Sequence, residues 1–330
     1  MDYKEASSSS FLNSTVSQYG SHMIMSNVQK PTKTKIVNID TRFLDEYQVN
    51  TNTYPITLSD KITHVKSMKV VSAEIPVSYY NISAALGNNY FMISNIHERD
   101  LSFNQYAPLS YMIIVPDGNY TIASLNLKIT DLLQVIQPDL FKCNLTFDNT
   151  NSGTNGNTTI SFLKFGNSGY YDLRFDFAVN SNGEFDKYNF KNKLGWLLGF
   201  RNTTYHFTGY YDSTVDTLIF TSEAFTNINH VQRYLYLVID EFNNGPQNSF
   251  LSSLPTSLIN KNIIARITPN TGFGDVIYAN HGNGFLYSDC RVYTSKFDIQ
   301  RLGIQLINEI GQPLHLNGLD FSFCMEIEYE

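Results

Sequence analysis

The sequence predicts an all-β protein, and three features support that prediction. Phe and Tyr are abundant, with 23 and 22 residues in a chain of 330, whereas charged residues make up only 16%. Aromatic residues at this density favour half-buried strands over charged helices. Several segments alternate apolar and polar residues with a period of two, and one segment has the period of a helix. The length permits one large β domain or two ordinary ones.

The predicted helix covers about residues 122–136. Its apolar residues fall at helical spacings and form one stripe: Ile122, Leu125, Ile129, Leu132, Leu133 and Ile136. Thr121 is a residue type that caps helix N-termini, and Pro138 ends the pattern. We expect this helix to lie across one face of a sheet, because it is too short and too polar to cross a membrane.

Strands are predicted on both sides of the helix. They cover residues 36–39, 54–58, 62–75, 90–93, 111–115, 143–147, 159–165, 171–179, 217–220, 234–240, 263–266, 297–306 and 320–329. Segments 143–147 and 159–165 flank a Gly- and Asn-rich loop and indicate a hairpin. The last strand should bury the face formed by Phe321, Phe323, Met325, Ile327 and Tyr329. Between these elements, residues 194–200 predict a short turn in which the only tryptophan, Trp196, is buried under the helix stripe.

Composition argues against several classes of function. The net charge is −7 and no basic run occurs, so direct binding of nucleic acid is not predicted. The cysteines, Cys143, Cys290 and Cys324, are too few and too scattered for a disulfide framework or a CxxC metal site, which suits a reducing compartment. No apolar run reaches the length of a membrane span or of a signal peptide, so we expect a soluble protein without a membrane span.

No catalytic, cofactor-binding or metal-binding residue is predicted. The histidines never occur at HxH or HExxH spacing: they are His22, His64, His97, His206, His230, His281 and His315. Asp172 and Asp176 are an acid/base candidate pair, but they alternate with Phe175 and Phe177, which predicts that both carboxylates lie on a solvated strand face.

Three loop motifs receive plain structural interpretations. The charged segment 97–100 predicts a surface ion-pair patch. Segments 272–275 and 282–284 are Gly-rich but lack the residues of a phosphate-binding loop, so we expect flexible turns. A large aromatic β surface with Asn-rich loops therefore favours a protein that acts by contact.

Four groups of segments together resemble a known family. They are Val37-Asn-Ile-Asp-Thr-Arg-Phe43; Ser67-Met-Lys-Val-Val-Ser-Ala-Glu-Ile-Pro76 with Tyr79-Tyr-Asn-Ile-Ser83; Val115-Pro-Asp-Gly-Asn-Tyr-Thr121 with Leu194-Gly-Trp-Leu-Leu-Gly-Phe200; and Asp298-Ile-Gln-Arg-Leu-Gly-Ile-Gln-Leu306 with Asp320-Phe-Ser-Phe-Cys324. Over most of residues 35–329, this sequence resembles the penton or minor capsid proteins of nucleocytoplasmic large DNA viruses of protists and algae.

The resemblance implies a jelly-roll β-sandwich in an icosahedral shell, assembled in the host cytoplasm beside the major capsid protein and other shell proteins. The Ser-rich, aperiodic start of the chain predicts that residues 1–34 are a flexible N-terminal arm, and residues 35–330 would be the sandwich. Within it, 116–205 would form a helix-plus-hairpin insertion or subdomain. The family offers no catalytic residues. It favours a homo-oligomer, with a vertex pentamer ahead of a facet protein.

Two other functions stay open at this point. One is a glycan- or receptor-binding protein on the virion surface, which would use exposed Tyr and Asn on loops such as 202–211. The other is a virion-associated hydrolase, whose catalytic residues would come from distant segments of the chain.

Overall fold

The computed structural model describes residues 16–19, 23–26, 31–44, 54–95, 99–100, 105–106, 109–135, 143–148, 156–164, 170–210, 217–229, 233–242 and 262–330. These residues are mostly β, which confirms the predicted fold class. The strands before the first helix are β1 (Val16–Tyr19), β2 (Met23–Ser26), β3 (Lys33–Asp40), β4 (Tyr54–Pro76), β5 (Tyr90–Asn95), β6 (Arg99–Asp100), β7 (Gln105–Tyr106) and β8 (Leu109–Ile114).

The first helix, α1, spans Ile122–Val135, and a short helical turn, α2, spans Leu194–Leu197. The remaining strands are β9 (Cys143–Asp148), β10 (Asn157–Lys164), β11 (Tyr170–Asp176), β12 (Thr204–Tyr210), β13 (Thr217–Phe225), β14 (Leu235–Asp240), β15 (Ile263–Ile267), β16 (Val276–Asn280), β17 (Leu286–Ser288), β18 (Arg291–Asn308) and β19 (Ser322–Tyr329).

The largest sheet has eight strands and curls on itself. Its order is β17-β15-β14-β18-β4-β19-β3, β16 pairs with β4, and every pair is antiparallel. The first half of β4 pairs with β18, whereas its second half lies between β19 and β16. The Val70 N–H on β4 donates a 3.0 Å hydrogen bond to Ser288 Oγ on β17. Strand β17, at one edge of the sheet, therefore lies beside β4. Two layers of this sheet therefore face each other as a β-sandwich.

The sandwich encloses the first hydrophobic core. The alternating inward residues of β4 and β19 are almost fully buried: Met68, Val70, Ala73, Ile75, Phe323, Met325 and Ile327. On β19 this is the face that the period-two pattern predicts, with Phe321 before it also buried and Tyr329 partly buried. The core accounts for the stability of this part, because burying each such side chain contributes roughly 1.5–3 kcal/mol.

A second hydrophobic core lies between α1 and two smaller sheets. These have the orders β13-β10-β9 and β12-β11-β5-β8. The core is strongly aromatic, with contacts among Phe91, Phe147, Phe162, Phe175, Phe177 and Phe207. Its residues run from Ile82 to Ile228, a span that contains the expected insertion at 116–205. The boundaries of that insertion stay a prediction.

Helix α1 agrees with its sequence pattern. Leu125, Ile129 and Leu133 are buried in the second core, and Ile122 and Leu132 are partly buried against it. The Thr121 hydroxyl accepts the Ser124 N–H at 3.2 Å, which caps the first turn. Position 136, the last member of the predicted stripe, lies outside the described residues.

Several strand boundaries differ from their predictions. Segments 54–58 and 62–75 form one continuous 23-residue strand, β4. The hairpin of β9 and β10 is confirmed, since Thr159 pairs with Asp148 and the register continues from there. Strands β18 and β19 are joined by a loop, but β4 lies between them. The sequence pattern does not predict β16 and β17, because each strand is only a few residues long.

The described part of the predicted N-terminal arm contains a strand pair, in which Val16 of β1 faces Ser26 of β2. The other residues of 1–30 lie outside the described structure, so the arm stays a prediction. Across the described ranges no helix combines the length and apolar character needed to span a bilayer.

Candidate functional site

Four loops meet at one end of the sandwich: residues 41–44, 76–80, 271–275 and 314–321. Strand register brings them together, because Ser322 pairs with both Asp40 and Glu74, and Pro76 pairs with Val276. Hydrogen bonds then join the loops to one another. Thr41 Oγ1 donates to Asp320 Oδ1 at 2.8 Å, and the Gly274 N–H donates to the Val77 carbonyl at 2.9 Å.

This end of the sandwich exposes large apolar side chains. The exposed fractions are 78% for Phe43, 53% for Leu319, 50% for Phe273 and 62% for Tyr278. The Phe273 ring stacks on the ring of Tyr80, with centroids 6.3 Å apart. We call the group the end surface; its members are Phe43, Tyr80, Phe273, Val276, Tyr278 and Leu319. Its exposure to water is costly unless a partner covers it.

The charges around the end surface are mostly acidic. Asp275 and Asp320 are exposed, and Glu74 accepts a 2.7 Å hydrogen bond from the Ser322 hydroxyl. Arg42 is the one Lys or Arg in the four loops, and its guanidinium binds Asp40. That hydrogen bond keeps the pKa of Asp40 below its usual value. The end surface therefore has an apolar centre and a negative margin.

A polar row crosses the outer face of the four-stranded sheet. Register aligns Ser110, Ser94, Arg174 and His206 on β8, β5, β11 and β12. The Ser94 and Ser110 hydroxyls are 2.8 Å apart. Sequence patterns do not predict this row, because its members come from four separate strands and only strand register brings them together.

Asp172 and Asp176 share the outer strand face with the exposed residue Arg174, but the prediction that their carboxylates are solvated is wrong. Their exposed fractions are only 5% and 2%. Asp172 Oδ1 lies 2.6 Å from His206 Nε2. Asp176 Oδ1 accepts hydrogen bonds from Arg174 Nε at 3.0 Å and from the Thr204 hydroxyl at 2.8 Å. Period-two alternation separates the two faces of a strand correctly, but it does not reveal which residues on the polar face are covered by neighbouring side chains. Buried carboxylates need such partners, since an unpaired buried charge is very costly.

The polar row lacks the geometry of a serine hydrolase. Ser94 and His206 are two strands apart, with Arg174 between them, which places them about 9–10 Å apart at the usual strand spacing. A nucleophile and its base need hydrogen-bond contact. Within the described residues, no three His, Cys, Asp or Glu side chains are grouped so as to hold a metal ion. Cys290 and Cys324 are free thiols.

A buried ion pair joins β14, β15 and β18. Arg291 donates to the Ile239 carbonyl at 2.9 Å, to the Asn262 carbonyl at 3.0 Å and to the Glu241 carboxylate. Tyr293 also donates to Glu241 Oε1, at 2.6 Å. Burial, reinforced by the Glu241 charge, raises the pKa of Tyr293. These contacts leave Glu241 little capacity to act as a base, so the cluster stabilises the sandwich.

A cleft lies beside this ion pair. Its volume is about 490 Å³, and Glu241, Phe242, Asp298, Gln300 and Arg301 line it. The Phe242 side chain is 60% exposed, and the Arg301 guanidinium lies 5.8 Å from the centre of its ring. An exposed ring beside polar side chains gives a flat apolar platform with hydrogen-bonding groups at its edge.

The remaining sequence motifs have structural roles or fall outside the structure. The segment 202–211, expected as an exposed loop, is mostly strand β12. Segments 272–275 and 282–284 are turns, as predicted. Residues 97 and 98 of the charged segment 97–100 lie outside the described residues.

Trp196 is only partly buried, so the prediction that it is buried under the helix stripe is wrong, although it packs against the second core. The Arg201 guanidinium lies 4.0 Å from the indole centre, and Phe190 packs edge-on against the ring. Leu194, Leu197 and Leu198 are the buried residues of this turn, and Trp196 covers them from outside. The sequence around Trp196 resembles a core segment because the residues before and after it are apolar.

Comparison with known proteins finds similarity among solved structures. No family model matches this chain, and no curated protein matches it. The crystal structure of the selenomethionine-labelled mavirus penton protein is similar over 91% of this chain and 100% of that chain, at 11% sequence identity and a TM-score of 0.42. A TM-score of 0.42 is too low to support an argument about function.

Proposed function

We propose that this chain is a structural component of an icosahedral virus shell and that it acts through protein–protein contacts. The observation that supports this proposal is the end surface. Phe43, Phe273 and Leu319 come from three different loops, yet all are at least half exposed at the same end of the sandwich. Scattered exposed apolar residues are normal, whereas a group of them indicates a contact site.

The sequence resemblance to penton and minor capsid proteins indicates which kind of assembly this would be. We infer a penton or minor capsid role, with the major capsid protein and other shell proteins as partners and with assembly in the host cytoplasm. A closed ring supplies repeated lateral contacts without open-ended growth, and the family resemblance favours five copies. Stable interfaces of this kind bury upward of about 1,200 Å² in total, so residues beyond the end surface must take part.

Particle incorporation tests the proposal. Virus particles carrying Phe43→Asp with Phe273→Asp should contain much less of this chain than wild-type particles, measured by quantitative mass spectrometry. Leu127→Asp is the matched control, because Leu127 is 64% exposed on α1, away from the end surface. Normal incorporation of the double variant, or absence of the wild-type chain from purified particles, would contradict the proposal.

The cleft beside Glu241 supports a second candidate function, glycan or receptor binding. The exposed ring of Phe242 can stack on the apolar face of a sugar, while Gln300 and Arg301 offer hydrogen bonds. Binding of the purified protein to a glycan array, lost in Phe242→Ala, would support it; a blank array would contradict it. No arrangement among the described residues favours the hydrolase alternative.

A further inference from the structure

We propose that the end surface of one copy binds a basic aromatic surface beside the second hydrophobic core of a neighbouring copy. This contact rests on the proposed shell function and names the surfaces through which copies meet. The basic surface consists of Phe185, Lys187, Tyr188, Lys191, Trp196 and Arg201.

The loop that carries the basic surface has a defined conformation. Val179 and Phe185 form an isolated antiparallel bridge, and Asn180 Oδ1 accepts the N–H groups of Asn182 and Glu184 at 2.9 and 3.0 Å. Phe185, at the end of this turn, is 62% exposed, and Tyr188, three residues further on, is 77% exposed. Exposed aromatic side chains beside an ordered turn are suited to act as anchor residues in a protein interface.

Cations lie directly on the aromatic rings of this surface. Lys187 Nζ is 5.3 Å from the Tyr188 ring centre, Lys191 Nζ is 5.8 Å from the Trp196 centre, and the Arg201 guanidinium is 4.0 Å from it. Lys193, in contrast, is buried and neutralised by Asp186 at 3.3 Å. Lys187 and Lys191 are exposed and lack a carboxylate within ion-pair distance among the described residues.

The two surfaces are complementary in charge and alike in apolar character. Asp275 and Asp320 border the end surface, whereas at the basic surface the cations Lys187, Lys191 and Arg201 outnumber the exposed carboxylates Glu184 and Glu223. Two end surfaces facing each other would bring like charges together, which disfavours an isologous contact. An end surface facing a basic surface pairs opposite charges around aromatic anchors. Because the two surfaces differ, the contact is heterologous, and repeating it generates a ring when the rotation closes.

Charge reversal on either surface tests this contact. The end variant carries Asp275→Lys and Asp320→Lys, and the basic variant carries Lys187→Glu and Lys191→Glu. We expect each full-length variant to need at least about tenfold higher concentration than wild type to assemble, measured by mass photometry. Thermal unfolding reports whether each variant folds, and Leu127→Glu on α1 is the control at a site on neither surface.

Mixing the two variants separates a heterologous contact from other arrangements. The end variant keeps an intact basic surface, the basic variant keeps an intact end surface, and the two reversed surfaces are again opposite in charge. An equal mixture should therefore recover assembly into species that contain both variants. Such species would support the proposal. A mixture that stays single-copy, variants that assemble like wild type, or a wild-type chain that stays single-copy at every concentration would overturn it. The shell function fails separately, if purified particles lack the chain.

Discussion

The His64 backbone N–H donates a 3.0 Å hydrogen bond to Asp298 Oδ1, and this bond joins β4 to β18 where β4 departs from extended geometry. His64 has a φ of +55°, and it lies between the paired positions Ile62–Ile299 and Val65–Phe297. Asp298 also binds Lys61 Nζ at 2.8 Å, and that contact keeps the pKa of Asp298 below its usual value. The pairing of β4 with β18 shifts register between Ile62 and Val65, so His64 lies at an irregularity in the long strand.

The effect of a substitution at His64 on stability should depend on how well the new residue adopts the left-handed backbone conformation. His64→Val should lower the free energy of unfolding by about 1–2 kcal/mol, because a β-branched residue fits the left-handed region poorly. His64→Gly should stay within about 1 kcal/mol of wild type, because glycine enters that region freely. Urea unfolding measures both. Equal stability of the two variants would show that this backbone position carries no strain.

Breaking the buried ion pair between Glu241 and Arg291 should strongly destabilise the fold. Glu241→Gln leaves Arg291 charged and buried without its carboxylate, and Arg291 is only 3% exposed. We expect a loss of about 3–5 kcal/mol in the free energy of unfolding. Lys35→Ala is the control, since its 3.7 Å pair with Asp60 is exposed to solvent and contributes little. A Glu241→Gln protein as stable as that control would refute the structural role of the pair.

Asn126 should be replaceable with a gain in stability. It is 2% exposed on α1, and among the described residues neither its side-chain oxygen nor its nitrogen has a hydrogen-bond partner. Asn126→Leu removes that desolvation cost and should raise the free energy of unfolding by about 1–3 kcal/mol.

One turn along the same helix, Thr130 provides the contrasting variant. Its hydroxyl accepts the Phe147 N–H at 2.9 Å. Thr130→Val leaves that N–H unpaired and should therefore destabilise the protein. If Asn126→Leu also destabilises, measured by the same thermal and urea unfolding, Asn126 has a polar partner in solution.

Alkaline pH should weaken the fold through Tyr79. Burial raises the pKa of Tyr79 to about 12, whereas an unfolded tyrosine ionises near pH 10. The stabilisation is therefore complete below about pH 10 and is lost between about pH 10 and 12, at up to about 1.4 kcal/mol per pH unit. Tyr79→Phe should flatten the dependence of unfolding free energy on pH over that window. An unchanged slope would place the hydroxyl of Tyr79 in water.

Sequence periodicity predicts those parts of this fold that are decided locally. Helix α1 and the buried face of β19 follow patterns within one segment, and both are observed. The continuity of β4 is not local: the polar run at 59–61 resembles a loop and stays extended because β18 pairs alongside it.

Site features depend even more on distant segments. Glu241 meets Arg291 only after β14 and β18 pair, and the burial of Asp172 depends on β12 bringing His206 beside it. The end surface likewise needs four loops from separate parts of the chain. Its exposed residues, such as Phe43 and Leu319, look like ordinary core residues in the sequence. No spacing rule connects such positions.

A cryo-EM reconstruction of the virus particle tests the central claim most directly. We expect density for this chain in a closed ring at the shell vertices, with its sandwich against neighbouring shell proteins and the end surface covered. A reconstruction that resolves every shell protein and has no density for this chain would contradict the structural role itself.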